Sequence, residues 1–88
     1  MNDKKPDTTQ ELLEVREGTH GSFKVNARVY RLFCNVVQQE GAKLNTEQGL
    51  AMDMIFVKLA RIVSGNANTK DHWEDIAGYA KLGSEACE

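Results

Sequence analysis

The chain has little of most things that would identify a function at sight. There is no excess of positive charge: 88 residues carry 11 Lys and Arg against 13 Asp and Glu, a formal net charge of −2. A general nucleic-acid binder needs a basic surface to neutralise phosphates, so nucleic acid is not expected as a partner. The two cysteines, Cys34 and Cys87, have no paired spacing. That excludes a disulfide scaffold and fits a reducing compartment. Long hydrophobic runs are missing too: the longest, Met54 to Val57, is far too short to cross a bilayer. The polar start Met1-Asn2-Asp3-Lys4-Lys5-Pro6 is followed by no apolar signal core. No membrane partner is expected, and the expected location is the cytoplasm. Walker loops, a Ser-His-Asp signature, Cys-x-x-Cys pairs, internal repeats and low-complexity segments are all absent.

What is there is helical punctuation. At this length a single domain is expected, burying about 60–65% of its unfolded surface and marginally stable alone. Residues 1–7 read as a disordered leader, 8–83 as one helical domain and 84–88 as a tail. Thr8 with Glu11 fits a capping box for a short first helix, which Gly18 is expected to end. Gly18-Thr19-His20-Gly21-Ser22 then reads as a tight turn, with Ser22 capping a second helix from about Phe23 to Glu40. Along it Val25, Val29, Leu32, Phe33, Val36 and Val37 recur at three- and four-residue steps, which predicts one buried stripe. Gly41 is its natural stop. Asn45 and Gln48 form the capping pair of a third helix, from Thr46 to Val63, that is apolar nearly all round. A fourth helix is expected from Lys70 to Leu82, capped by Asn68 or Thr69 and closed by Gly83. The fold expected is all-α, a small antiparallel bundle of four helices with the third most buried. The third helix carries more apolar surface than so short a chain covers, so a homo-oligomer, simplest as a homodimer, is expected.

Charged residues cluster in three places. Glu11, Glu14 and Glu17 follow a three-residue spacing near the start, and Asp71, Glu74 and Asp75 form a second acidic group. Carboxylates from two helices can hold Mg²⁺ against substrate phosphates. Dipole complementation in the first turn explains Asp71 and Glu74 equally well, and capping explains Glu11. Lys58 and Arg61 sit three apart in the most apolar helix. Their heads must reach solvent or a partner, so they either pair with Asp71 or Asp75 or clamp a phosphate. His20 and His72 lack zinc spacing; His20, flanked by Gly18 and Gly21, is the better placed to join an anion site. Lys24, Arg28 and Arg31 make a basic stripe that reads most simply as a solvated helix face.

Arg16 to Phe23 (R-E-G-T-H-G-S-F), Lys58 to Arg61 (K-L-A-R) and Asp71 to Ala80 (D-H-W-E-D-I-A-G-Y-A) together resemble a group of small uncharacterised phage and prophage proteins. The resemblance spans residues 10–82. More remotely, the pattern is similar to all-α nucleoside triphosphate pyrophosphohydrolases, whose late Asp-rich helix helps hold Mg²⁺. The acidic block typical of those enzymes is here only the imperfect Glu11, Glu14, Glu17 series. The resemblance therefore implies a phage-encoded, non-catalytic accessory protein in the cytoplasm of a bacterial host. It would bind a host defence protein, in the manner of an anti-CRISPR inhibitor, or a nucleotide. The binding residues expected are Arg16, His20, Lys58, Arg61, Asp71 and Asp75, with no cofactor. The alternative is a Mg²⁺-dependent pyrophosphohydrolase with Asp71, Glu74 and Asp75 as catalytic residues and Glu14, Glu17, Asp71 and Asp75 as metal ligands.

Overall fold

The computed structural model describes residues 8–88, and the leader expected over 1–7 lies outside them. Four helices account for about four-fifths of the described chain: α1 Thr8–His20, α2 Phe23–Glu40, α3 Thr46–Ser64 and α4 Lys70–Glu85. The fold is all-α, with no strand among the described residues. Local chemistry sets most of the boundaries. The Ser22 hydroxyl accepts the Val25 N–H and opens α2, and Gly41 closes it in the left-handed region at φ 65°. Asn45 and Gln48 exchange side-chain and backbone hydrogen bonds in a full capping box at the start of α3.

Three expected boundaries move. Thr8 is itself helical rather than the cap, and α1 runs through Gly18 to His20. Gly21, at φ 78°, is the residue whose left-handed backbone turns the chain. Gly83 does not end α4, which continues to Glu85. It faces α3 instead: a Cβ there would lie 3.5 Å from the Ala51 methyl, so its smallness serves helix approach. The expected tail is held as well. The Asn45 side chain donates to the Ala86 carbonyl at 2.8 Å, tying the chain end to the start of α3.

α3 is the centre of the arrangement. It packs along α4 most extensively, then α2, and it also meets α1, whereas no Cα of α2 comes within 8 Å of one in α4. Ala51 and Ala60, both on α3, are the buried apolar residues among those described, and no large side chain is fully buried. The single buried stripe expected on α2 is really two faces. Phe33 stacks on Phe56 of α3 with ring centroids 5.1 Å apart, while Leu32 and Val36 are 56% and 58% exposed. α1 contributes no buried residue, and Leu12, Leu13 and Val15 are exposed. The molecule is correspondingly drawn out to 60 × 25 × 23 Å, with a radius of gyration of 16.2 Å. A compact domain of this length has a radius of about 12 Å. No described helix is long and apolar enough to cross a membrane.

Candidate functional site

The α1–α2 corner and the α3–α4 corner meet backbone to backbone. Gly21 and Gly65 face each other so closely that a Cβ on Gly65 would lie 2.5 Å from the Thr19 carbonyl oxygen and 2.6 Å from the Gly21 nitrogen. Polar groups close the junction. The Thr19 carbonyl accepts the Asn66 N–H at 3.1 Å and the His72 Nε2–H at 3.0 Å. Because that acceptor is a carbonyl, neutral His72 carries its proton on Nε2. His72 is 2% exposed and stands edge-on to the His20 ring, 4.7 Å between centroids. Asn26 donates to the His20 carbonyl at 2.7 Å and accepts the Ser64 hydroxyl at 2.7 Å. The residues Thr19-His20-Gly21-Ser22 thus form a structural knot that fixes where α1 leaves the body of the protein.

Beside this knot lies a groove of about 340 Å³ between α1, α2 and α3. Its rim carries Arg16, Arg31, Arg61 and His20, and Phe23 and Tyr30 supply aromatic walls. The groove is electropositive and poorly neutralised. Burial lowers the Arg61 guanidinium's pKa from its ordinary value, and Arg16 lowers it further, with Asp75 offsetting part of this. Burial also lowers the pKa of His20, reinforced by the charges of Arg61, His72, Arg16 and Lys58. Tyr30 is held above the usual phenol range, first by its hydrogen bond with Cys34 and then by burial, so it adds no negative charge at neutral pH. The Thr19 hydroxyl donates to the Arg16 carbonyl and meets His20 Nδ1. In the neutral ring Nδ1 therefore donates and Nε2 keeps its lone pair.

The expected site residues separate into two groups. Arg16, His20 and Arg61 converge on the groove. Lys58 instead pairs with Asp75 at 3.0 Å, with side-chain exposures of 12% and 47%. Asp71 is exposed in the first turn of α4, where it complements the helix dipole. Glu14 and Glu17 on α1 are not brought to Asp71, Glu74 and Asp75 on α4, since no Cα atoms of the two helices lie within 8 Å. Among the described residues no group of three or more His, Cys, Asp or Glu is placed to hold a metal ion. Sequence reasoning missed Asn26, Tyr30 and Phe23. Arg31 belonged to the basic stripe read there as a solvated face.

Two outcomes follow from these charges. Asp75→Ala strands a mostly buried ammonium, but the half-exposed carboxylate leaves water a way in. The expected cost is about 1–2 kcal/mol, between surface and buried pairs, whereas Glu74→Ala should change stability little. Thermal melts of the two variants check this, and equal small shifts would show Lys58–Asp75 to be a surface pair. His20 titrates below 6.5 in the folded chain, so the unfolded chain binds the proton more readily. Its neutral form contributes fully above 6.5, and that contribution is lost as the pH falls through the lower folded value. The melting temperature should therefore drop below pH 6.5, and His20→Gln should flatten that drop. An unchanged pH profile in the variant would refute this assignment.

No curated protein and no solved structure matches the chain. Residues 7–87, nearly its whole length, match a family defined by a domain of unknown function, and the protein belongs to that family, DUF6378.

Proposed function

We propose that this protein works by binding a phosphate-bearing nucleotide in the α1–α2–α3 groove, without turning it over. The observation that carries the reading is the meeting of Arg16 and Arg61. Burial and the neighbouring Arg16 charge both disfavour the charged Arg61 guanidinium, a strain that an entering anion relieves, and guanidinium forks suit phosphate oxygens. The groove volume of about 340 Å³ falls at the lower end of small-molecule sites. Phe23, 85% exposed, and Tyr30 offer faces on which a base can stack. The likeness to small phage proteins supports an accessory role in the cytoplasm of a bacterial host. We further propose that the short links set neighbouring helices antiparallel, and that the chain self-associates. A host defence protein as target has no comparable observation behind it.

The test is a titration with nucleoside mono-, di- and triphosphates, with and without Mg²⁺, followed by calorimetry and phosphorus NMR. Saturable binding of about one nucleotide per chain with no product supports the reading. Absence of binding refutes it. Formation of pyrophosphate and monophosphate, abolished by Asp75→Asn in a folded protein, replaces it with pyrophosphohydrolysis.

A further inference from the structure

The groove that carries Arg16, Arg31, Arg61 and His20 holds cations and no acid. Among the described residues, none of those lining it is an Asp or a Glu. The nearby carboxylates are engaged elsewhere. Asp75 reaches Arg61 with its charge, but its Oδ2 is held by the Lys58 ammonium at 3.0 Å. Asp53, whose charge is felt at Tyr30, lines a separate hollow with Cys34, Met52 and Phe56. After burial, the influences that lower the His20 pKa come from Arg61, His72, Arg16 and Lys58, none of them a carboxylate. The acids that the pyrophosphohydrolase likeness would assign to Mg²⁺ stay apart on α1 and α4.

This one-sided charge bears on the form in which a nucleotide can enter. Protein sites hold Mg²⁺ through one or two carboxylates together with the substrate's phosphates. A metal chelated by a triphosphate also occupies the oxygen edges that guanidinium forks take, and cancels part of the charge that draws the anion in. We infer that the groove takes its nucleotide as the metal-free phosphate anion, and that Mg²⁺ competes with Arg16 and Arg61 for the phosphate oxygens. This form of the ligand rests on the nucleotide reading above and makes Mg²⁺ a regulator of capture. A nucleoside monophosphate, which chelates Mg²⁺ poorly, is held with or without the metal. A triphosphate is held well only when free.

Calorimetry with a nucleoside triphosphate, in chelator and in excess Mg²⁺, tests this with the matching monophosphate titrated alongside. Excess Mg²⁺ should weaken the triphosphate about 10-fold or more, the effect of losing one charge-assisted contact, and the monophosphate far less. Equal weakening of both ligands would mean general screening of surface charge and sinks the inference. Triphosphate binding that Mg²⁺ leaves unchanged or strengthens sinks it too, while the groove remains a nucleotide site. Absence of binding by either ligand under both conditions removes the nucleotide reading itself. Two variants tie the effect to this groove. Ala27 lines it from an exposed position on α2, and both Glu and Gln are good helix formers, so helical content should persist. Ala27→Glu should weaken the free triphosphate and shrink the Mg²⁺ penalty several-fold, because it offers the metal an oxygen ligand. Ala27→Gln, of the same size without the charge, should keep the wild-type penalty. If the two variants respond to Mg²⁺ alike, the groove's charge does not set the response and the metal-free form is refuted.

Discussion

Gly65→Ala is expected to cost on the order of 3 kcal/mol or more, the upper range for overpacking a site that cannot yield. The atoms a methyl would meet are the Thr19 carbonyl oxygen, the Gly21 nitrogen and the His20 carbonyl carbon, at 2.5–2.6 Å. All three belong to the backbone, so no side chain can swing away. The two corners must part, and the bonds from Asn66 and His72 to the Thr19 carbonyl part with them. A small domain has about 0.05–0.15 kcal/mol of stability per residue, so this loss is a large share of the whole. Gly78→Ala is the control. A Cβ there meets nothing within 4 Å on an exposed stretch of α4, so alanine should stabilise by up to about 1 kcal/mol. Denaturant melts that ranked the two variants alike would show that the corner does not hold the fold.

That contrast marks how far the sequence could be read. The Asn45–Gln48 capping box, the Ser22 cap and the Gly41 stop were legible because each is a local bargain between a side chain and three or four backbone groups. Gly18, Gly21, Gly78 and Gly83 look alike as letters, and only the fold distinguishes them. Gly21 turns the chain, Gly83 lets α4 approach Ala51, and Gly18 and Gly78 have open space around them. The α2 pattern misled for a related reason. Steps of three and four declare an apolar surface but not how many neighbours share it, and here α3 takes one side only. At the site, Arg61 stood out as a charge in an apolar helix and His20 by its flanking glycines. Tyr30 and Asn26 could not stand out, because their importance comes from contacts with residues far along the chain, such as Ser64.

Arg61→Met should separate binding from stability. In the unliganded protein Arg61 is held at a cost from burial and from Arg16, partly recovered through Asp75. Methionine keeps the apolar stem and removes the charge, so the variant should melt at or above the wild-type temperature. Nucleotide affinity should move the other way. A hydrogen bond to a charged group contributes about 1.5–3 kcal/mol, so losing the guanidinium should weaken triphosphate binding roughly 10- to 100-fold. Wild-type protein should gain melting temperature with added nucleotide, as any ligand selective for the folded state requires, and the variant should gain little. Binding should also raise the pKa of His20, because a phosphate beside the ring favours its charged form and opposes the burial and neighbouring charges that lower it. Protons would then be taken up on binding, visible as a heat that depends on the buffer's ionisation enthalpy. Wild-type affinity in Arg61→Met would remove the groove from consideration as the binding site. A variant that lost affinity only by unfolding would betray itself in the melt, where the charge clash predicts a protein at least as stable as its parent.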